Sequence, residues 1–180
     1  MEIIKTDIEG VFIVEPKVFG DNRGYFFESF NEAEFKQKTG LDIRFVQDNE
    51  SCSCYGVVRG LHFQKPPYAQ SKLVRCVNGK IRDIAVDLRE GSPTYGKYTS
   101  CEISEENHRQ FFIPKGFAHG FEVLSEKAVF QYKCDEFYHP EAEGAIAWDD
   151  PQIGIDWTLP ACDIILSEKD KNNVYLKDLK

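Results

Sequence analysis

The sequence predicts an all-β fold, a cupin-like jelly-roll barrel with only minor, short helices. Short apolar or alternating segments recur between turn residues about every 8 to 12 residues, which is typical of a sandwich or barrel. Aromatic residues make up 13% of the 180 residues, and aromatic side chains favour strands. Only two short segments carry helix signals. Many short antiparallel strands with little helix indicate a jelly roll, and the length fits one domain over residues 1–180.

The predicted strands follow in chain order. Each is a short apolar or alternating segment bounded by turn residues, over residues 10–15, 25–30, 57–64, 72–77, 81–88, 98–103, 110–113, 120–124 and 128–134. Within 81–88, Ile84, Val86 and Leu88 alternate with two aspartates and an alanine. This alternation predicts a strand with one buried face, the apolar one.

Turns and helices complete the predicted elements. An Asn-Gly pair at residues 78–79 lies between two strands and is a strong hairpin signal. Asn31 is a good N-cap and Gly40 a good helix stop, which predicts one short helix over residues 32–38. A second short helix is expected around residues 167–171.

Charge and hydropathy exclude several classes of partner. With 22 basic and 30 acidic residues the formal net charge is −8, whereas a nucleic-acid-binding surface needs a cationic excess to release counterions from phosphates. Residues 1–10 lack the apolar segment of a signal peptide, and no apolar run approaches the ~20 residues that span a bilayer. We therefore expect no nucleic-acid or membrane partner, and a cytoplasmic location.

The cysteines and histidines argue against a metal site. Six cysteines are scattered along the chain without a C-x-x-C pair, so we interpret them as reduced core residues. The four histidines include no H-x-H pair, and a divalent site would need carboxylates such as Glu122 to complete it. We therefore predict no bound metal.

Two of the histidines are candidate functional residues. His108 lies in a charged turn and His139 in a loop before a proline, and both are interpreted as structural. His62 and His119 lie in apolar strand segments flanked by glycine. From this pattern, a hydrogen-bonded core histidine explains either of them as well as a catalytic histidine does.

Three cations lie in turn or strand contexts with aromatic and small residues, rather than in runs of charge. They are Arg23, Arg59 and Lys72. Pairing with a nearby carboxylate explains any one of them alone. Together they predict a diphosphate site, because arginine forks and lysine charges suit phosphate oxygens.

Five sequence segments make the function specific. They are GDNRGYFFESF at residues 20–30, VQDNES at 46–51, VRGLHFQ at 58–64, IPKGFAHGF at 113–121 and LSEKD at 166–170. With these segments in order, the chain from about residue 3 to residue 170 resembles the dTDP-4-dehydrorhamnose 3,5-epimerase family. The resemblance implies a cupin-fold homodimer, free of cofactor and metal, that inverts two carbons of dTDP-4-dehydro-6-deoxy-D-glucose.

The resemblance also implies roles for individual residues. His62 would be the general base and Tyr132 the general acid, and Asp170 would orient His62 and stabilise its imidazolium. Phe26 and Tyr138 would pack against the thymine or the sugar. The other substrate-binding residues implied by the resemblance are Arg23, Glu28, Gln47, Asn49, Arg59, Lys72, His119, Glu143 and Lys169.

These residue types suit the implied reaction. A ketone at sugar position 4 acidifies the protons at positions 3 and 5, because removing either proton gives an enolate. A neutral histidine can remove such a proton near neutral pH. Inversion then requires reprotonation from the opposite face, which a neutral tyrosine can supply. Lys72 is our candidate for stabilising the enolate oxygen.

Strand parity gives a partial check on these assignments. In its strand, Tyr132 shares a face with Phe130, as an inward-pointing acid requires. Arg59 and His62 are three positions apart and face opposite sides of a regular strand. Either Gly60 marks a bulge that turns one of them, or the two serve different parts of the site.

Three alternative functions stay open from the sequence. A sister enzyme would epimerise only one carbon with the same histidine and tyrosine. A non-catalytic sugar-nucleotide-binding barrel would keep the cations without needing the acid and base. A metal-dependent cupin oxygenase is the third alternative.

Overall fold

Strands make up most of the regular secondary structure in the computed structural model, which describes residues 1–179. The strands are β1 Glu2–Lys5, β2 Phe12–Glu15, β3 Phe19–Asp21, β4 Gly24–Phe26, β5 Gln47–Cys54, β6 Val58–Gln64, β7 Lys72–Asn78, β8 Lys80–Asp87, β9 Tyr98–Ser104, β10 Gln110–Ile113, β11 Phe117–Val123, β12 Lys127–Cys134 and β13 Glu143–Ala145. The helices are α1 Glu32–Thr39 and short 3₁₀ turns at Pro140–Ala142, Ala161–Asp163, Asp170–Asn172 and Leu176–Asp178. No helix within residues 1–179 has the length and apolar character needed to cross a membrane.

Two antiparallel sheets pack face to face. The six-stranded sheet has the order β1-β2-β10-β7-β12-β5, and the five-stranded sheet has the order β13-β6-β11-β8-β9. Phe111 and Phe130 of the first sheet and Ile81 and Phe121 of the second belong to one buried cluster between them. The predicted jelly-roll architecture is therefore confirmed. β3 and β4 form a separate two-stranded hairpin.

Two further clusters cover the outer faces of the sheets. On the five-stranded sheet, Leu61, Ile84 and Val86 pack with residues of the C-terminal segment, residues 146–179, such as Leu176. On the six-stranded sheet, aromatic residues of β2 and β10 pack against Phe35 of α1. The C-terminal segment is thereby fixed against the sheet that carries β6 and β8.

The prediction of a single buried face for β8 is wrong, because both of its faces are buried. Ile84 and Val86 pack in the outer cluster, while Asp83 and Asp87 on the opposite face have no exposed surface. Alternation in the sequence indicates two unlike faces but not which of them is covered. Here the C-terminal segment covers the apolar face, and the aspartate face turns inward.

The helix signals are confirmed. Asn31 Oδ1 accepts a hydrogen bond from the backbone N–H of Glu34 at 3.1 Å. Gly40 has a φ of 74° and its N–H donates to the carbonyl of Lys36, which ends α1. The predicted C-terminal helix is smaller than expected, a single 3₁₀ turn over Asp170–Asn172.

The Asn-Gly turn at residues 78–79 does not form a hairpin. It joins β7 to β8, and these strands lie in different sheets. Gly79 has a φ of 80°, and a Cβ at this position would lie 2.0 Å from the carbonyl oxygen of Lys127. Glycine is therefore needed where the chain crosses closely over a neighbouring strand.

The sequence pattern misses four strands, β1, β3, β5 and β13. β5 has the sequence QDNESCSC, which contains no large apolar side chain, yet it pairs with β12 along its whole length at the edge of the sheet. β4 ends at Phe26, whereas the strand predicted in this region continues to residue 30. Strand propensity alone is too weak to reveal a polar edge strand.

The cysteine prediction is only half right. All six thiols are free, and Cys76, Cys101 and Cys134 are buried as expected. Burial raises the pKa of Cys134 to about 11, so this thiol stays neutral. The exposed cysteines are Cys52, Cys54 and Cys162.

Candidate active site

A bulge in β6 brings Arg59 and His62 to the same face of the five-stranded sheet. His62 pairs with His119 and Arg59 pairs with Phe121, so three steps along β6 match two steps along β11. His119 and Phe121 share a face, and cross-strand partners point the same way. A Cβ at Gly60 would lie 2.8 Å from the carbonyl oxygen of His119, so only glycine permits this approach. The bulge predicted as one alternative is confirmed.

A buried carboxylate holds His62. Its Nε2 lies 2.6 Å from Asp170 Oδ1, and Asp170 is only 4% exposed. Ser167 Oγ donates to Asp170 Oδ2 at 2.8 Å, and Asn173 Nδ2 donates to Oδ1 at 3.4 Å. Burial raises the pKa of Asp170, but the hydrogen bond and charge of His62, aided by Ser167 and Asn173, lower it by more. Asp170 therefore stays ionised and can orient His62.

A second histidine–aspartate pair lies beside the first. His119 Nε2 is 2.9 Å from Asp83 Oδ1, and both residues are buried. Burial raises the pKa of Asp83 and lowers the pKa of His119, while the attraction between the two groups opposes both shifts. The pair fixes His119 next to its cross-strand partner, His62. Within residues 1–179, no three His, Cys, Asp or Glu side chains are grouped as ligands of a metal ion would be.

Lys72 and Tyr132 face this pair from the six-stranded sheet. Lys72 Nζ lies 5.8 Å from the centre of the Tyr132 ring, which packs 5.5 Å from the ring of Phe130 in the core. The predicted inward direction of Tyr132 is confirmed. Burial raises the pKa of Tyr132, so its phenol is a neutral proton donor. Burial lowers the pKa of Lys72, which makes its charge costly unless an anion approaches.

His62, His119, Lys72 and Tyr132 border a space between the two sheets. Glu143 lies at the opening of this space, which we call the mouth. Its Oε1 is 2.6 Å from Lys169 Nζ, and its Oε2 accepts a hydrogen bond from the Tyr138 hydroxyl at 2.9 Å. Burial raises the pKa of Glu143, but these two hydrogen bonds lower it by more. Its charge also acts on His62 and on Tyr132. The candidate acid, the candidate base and the mouth residues therefore surround one space.

β5 and β6 add polar side chains to the mouth. Gln47 Nε2 donates to Asn49 Oδ1 at 3.0 Å, and Gln47 Oε1 accepts from the backbone N–H of Tyr138 at 3.1 Å. Arg59 Nε donates to Ser53 Oγ at 3.1 Å, and the Arg59 side chain is exposed. Amides and a guanidinium at one opening suit the polar groups of a nucleotide.

Three predicted binding residues are not brought to His62 within one chain. Arg23, on the β3–β4 hairpin, has an 85% exposed side chain that pairs with Asp21 at 2.5 Å. Phe26 is 67% exposed, and Glu28 accepts a hydrogen bond from Asn31 at 3.4 Å. The hairpin thus stands apart from the barrel interior, whereas the other predicted site residues lie at the interior or its mouth.

Sequence reasoning missed the residues that support the site. Asp83 lies on the aspartate face of β8, which is buried. The only feature of the sequence that marks this residue is the alternation in β8, from which we expected the aspartate face to be uncovered. Ser167 lies in the LSEKD segment, three residues before Asp170, and its Oγ also accepts from the backbone N–H of Asp170. That spacing is typical of a side chain that caps a turn, which could have indicated its role.

Comparison with known proteins assigns the family. The family model described as dTDP-4-dehydrorhamnose 3,5-epimerase matches residues 5–178. A relative with that name from Methanothermobacter thermautotrophicus is 58% identical over 94% of this chain and 91% of its own length. The chain belongs to the dTDP-4-dehydrorhamnose 3,5-epimerase family. The family predicted from the five sequence segments is therefore confirmed.

Solved structures of sugar-nucleotide epimerases superpose closely on the chain. The epimerase from Legionella pneumophila in complex with dTDP-4-keto-L-rhamnose has a TM-score of 0.96 at 49% identity, over 99% of this chain and 94% of that one. ChmJ from Streptomyces bikiniensis, a 3'-monoepimerase in complex with dTDP-quinovose, has a TM-score of 0.91 at 32% identity, over 97% and 87%. Enzymes described as 3,5-epimerases and an enzyme described as a monoepimerase therefore share this fold.

Proposed function

We propose that this chain converts dTDP-4-dehydro-6-deoxy-D-glucose to dTDP-4-dehydro-L-rhamnose by inverting carbons 3 and 5. The observation that carries the proposal is the 2.6 Å contact of His62 Nε2 with buried Asp170, where His62 lies on the sheet opposite the one that carries Tyr132. A relative named for both carbons is 58% identical to the chain, whereas the monoepimerase is 32% identical. This difference favours the two-carbon reaction over the one-carbon alternative.

The two facing sheets supply the two faces of the sugar. His62 lies on β6 of the five-stranded sheet and Tyr132 on β12 of the six-stranded sheet. A sugar ring between the sheets presents one face to each. His62 removes the proton next to the ketone, and Asp170 stabilises the imidazolium that forms. Lys72 neutralises the enolate oxygen, and the Tyr132 phenol reprotonates the carbon from the opposite face. Water then takes the proton from His62 and returns one to the Tyr132 phenolate, so the same pair can invert the second carbon.

The mouth residues hold the nucleotide. Arg59 and Lys169 supply positive charge for the diphosphate, although Lys169 must first exchange its partner Glu143 for phosphate oxygens. Tyr138 is 52% exposed and offers its ring to the thymine or the sugar. The remaining residues proposed to bind the substrate are Glu28, Gln47, Asn49, His119 and Glu143. We propose no resident cofactor or metal, a single domain and a cytoplasmic location.

We further propose a homodimer in which the β3–β4 hairpin of one copy reaches the site of the other. This arrangement is supported by the exposure of Arg23 and Phe26, both of which stand away from the site of their own chain. Two exposed binding residues on a hairpin that belongs to neither main sheet suit a symmetric exchange between copies.

Mixing two inactive variants tests this exchange. Arg23→Ala and His62→Asn each inactivate every site to which the substituted residue contributes. The homodimer of either variant alone is therefore expected to be nearly inactive. If the hairpin acts across the dimer, a re-equilibrated equal mixture regains about a quarter of the wild-type activity, because half of the dimers carry one intact site. A mixture that stays inactive would mean that Arg23 serves the site of its own chain.

Asp170→Asn tests the role of the buried carboxylate. The pKa of Asp170 is lowered, so the group stays ionised throughout the working pH range. Without that charge, the imidazolium that forms when His62 takes up the carbon proton is not stabilised, and kcat, measured by proton NMR, falls at least ~10²-fold. A kcat within about threefold of the wild-type value would contradict the role.

The products distinguish the proposed function from its alternatives. The purified protein is incubated with dTDP-4-dehydro-6-deoxy-D-glucose, without added cofactor or metal, and the sugar ring is followed by proton NMR coupling constants. Inversion at carbons 3 and 5 supports the proposal. Inversion at one carbon identifies the sister enzyme, and an unchanged sugar with retained dTDP binding identifies the non-catalytic barrel.

A further inference from the structure

Gln64, the last residue of β6, holds the loop that carries Tyr138. The residue is 7% exposed, and its Nε2 donates to the carbonyl oxygens of Phe137 at 3.1 Å and Tyr68 at 2.7 Å. Its Oε1 accepts from the backbone N–H of His139 at 2.6 Å. One buried side chain therefore binds the backbone on both sides of Tyr138.

The rest of the loop is tied down in the same way. The N–H of Tyr138 donates to Gln47 Oε1, and the ring of His139 stacks on Tyr68 with centroids 3.7 Å apart. Gln70 Nε2 donates to the carbonyl of Glu136 at 2.8 Å. The loop backbone is thus fixed although its sequence is short of apolar anchors.

The Tyr138 side chain contrasts with its fixed backbone. The residue is 52% exposed, and its hydroxyl donates to Glu143 at 2.9 Å. When a ligand stacks on an exposed aromatic ring whose backbone is already immobilised, little conformational entropy is lost. Only a few side-chain rotamers, and no backbone angles, have to be fixed. This arrangement is what a preformed stacking surface requires.

We propose that Gln64 is a positioning residue that sets the Tyr138 ring for the nucleotide end of the substrate. The inference rests on the proposed function, in which Tyr138 packs against a dTDP-sugar. Gln64 lies two residues after His62 on the same strand and face. One strand therefore fixes both the proposed base and the surface that holds the nucleotide, which sets the distance between them.

Gln64→Met tests the inference, because methionine keeps the volume and removes all three hydrogen bonds. Affinity for dTDP, measured by calorimetry, and KM for the sugar nucleotide are each expected to worsen ~10-fold, equivalent to about 1.4 kcal/mol. We expect kcat to stay within about threefold, because the residues at the reacting carbons are untouched. Gln70→Met, which removes only one of the bonds to this loop, at Glu136 rather than beside Tyr138, is the graded control and should change each quantity less than about threefold.

A double-mutant cycle separates positioning from general loosening. If Gln64 acts through Tyr138, Gln64→Met adds little to Tyr138→Ala, and the two losses do not multiply. Losses that multiply, or wild-type dTDP affinity in Gln64→Met, would overturn the inference while leaving the proposed epimerase intact. Wild-type protein that neither binds dTDP nor inverts the sugar would overturn both. If Gln64→Met fails to fold, Gln64→Glu, which keeps the acceptor for His139 and loses both donors, is put through the same measurements.

Discussion

His62→Asn is expected to lower kcat by about 10³-fold, the scale of a lost general base. Asparagine can occupy the space next to Asp170 and donate to it, but it cannot take up a proton from a carbon. Asp170 keeps its hydrogen bonds from Ser167 and Asn173, so the buried carboxylate is not left without partners. The rate is measured by NMR under substrate saturation.

Binding of dTDP is the control for the His62 variant. Because the nucleotide is held at the mouth by other residues, the variant should bind dTDP within about threefold of wild type. A variant that keeps more than about a tenth of the wild-type kcat would exclude His62 as the base.

Tyr132→Phe is expected to separate proton removal from inversion. Phenylalanine keeps the packing against Phe130 and removes only the acidic hydroxyl. Inverted product should form about 10²-fold more slowly, while exchange of the carbon protons with solvent should fall less than about tenfold, since His62 can return a proton to the face it came from. Both rates are read from the same NMR time course in deuterated water.

Tyr55→Phe is the matched control for this substitution. Tyr55 donates its hydroxyl to Asp163 at the surface, at 3.0 Å, so its loss should leave both rates within about twofold. Equal losses of exchange and inversion in Tyr132→Phe would mean that the tyrosine serves proton removal rather than reprotonation.

Local signals predicted much of the fold. β10 has the predicted bounds, and the caps at Asn31 and Gly40 place α1 within one residue of its predicted end. These features depend on neighbouring residues only. β5 was not predictable, because its polar side chains face the site and the solvent rather than the core.

The supporting residues of the site depend on contacts between distant segments. The resemblance supplied His62 and Asp170, which are 108 residues apart. Asp83 was expected on the uncovered face of β8, because nothing in β8 itself indicates that the C-terminal segment covers its apolar face. Gln64 binds main-chain N–H and carbonyl groups. These groups do not depend on residue type, so the sequence could not identify the partners of Gln64.

Deuterium incorporation in deuterated water tests the central claim most directly. Wild-type protein should give dTDP-4-dehydro-L-rhamnose with deuterium at carbon 3 and at carbon 5, and His62→Asn should incorporate deuterium at neither carbon in the same time. The account would be contradicted by wild-type product that lacks deuterium at either carbon, or by undiminished incorporation in His62→Asn.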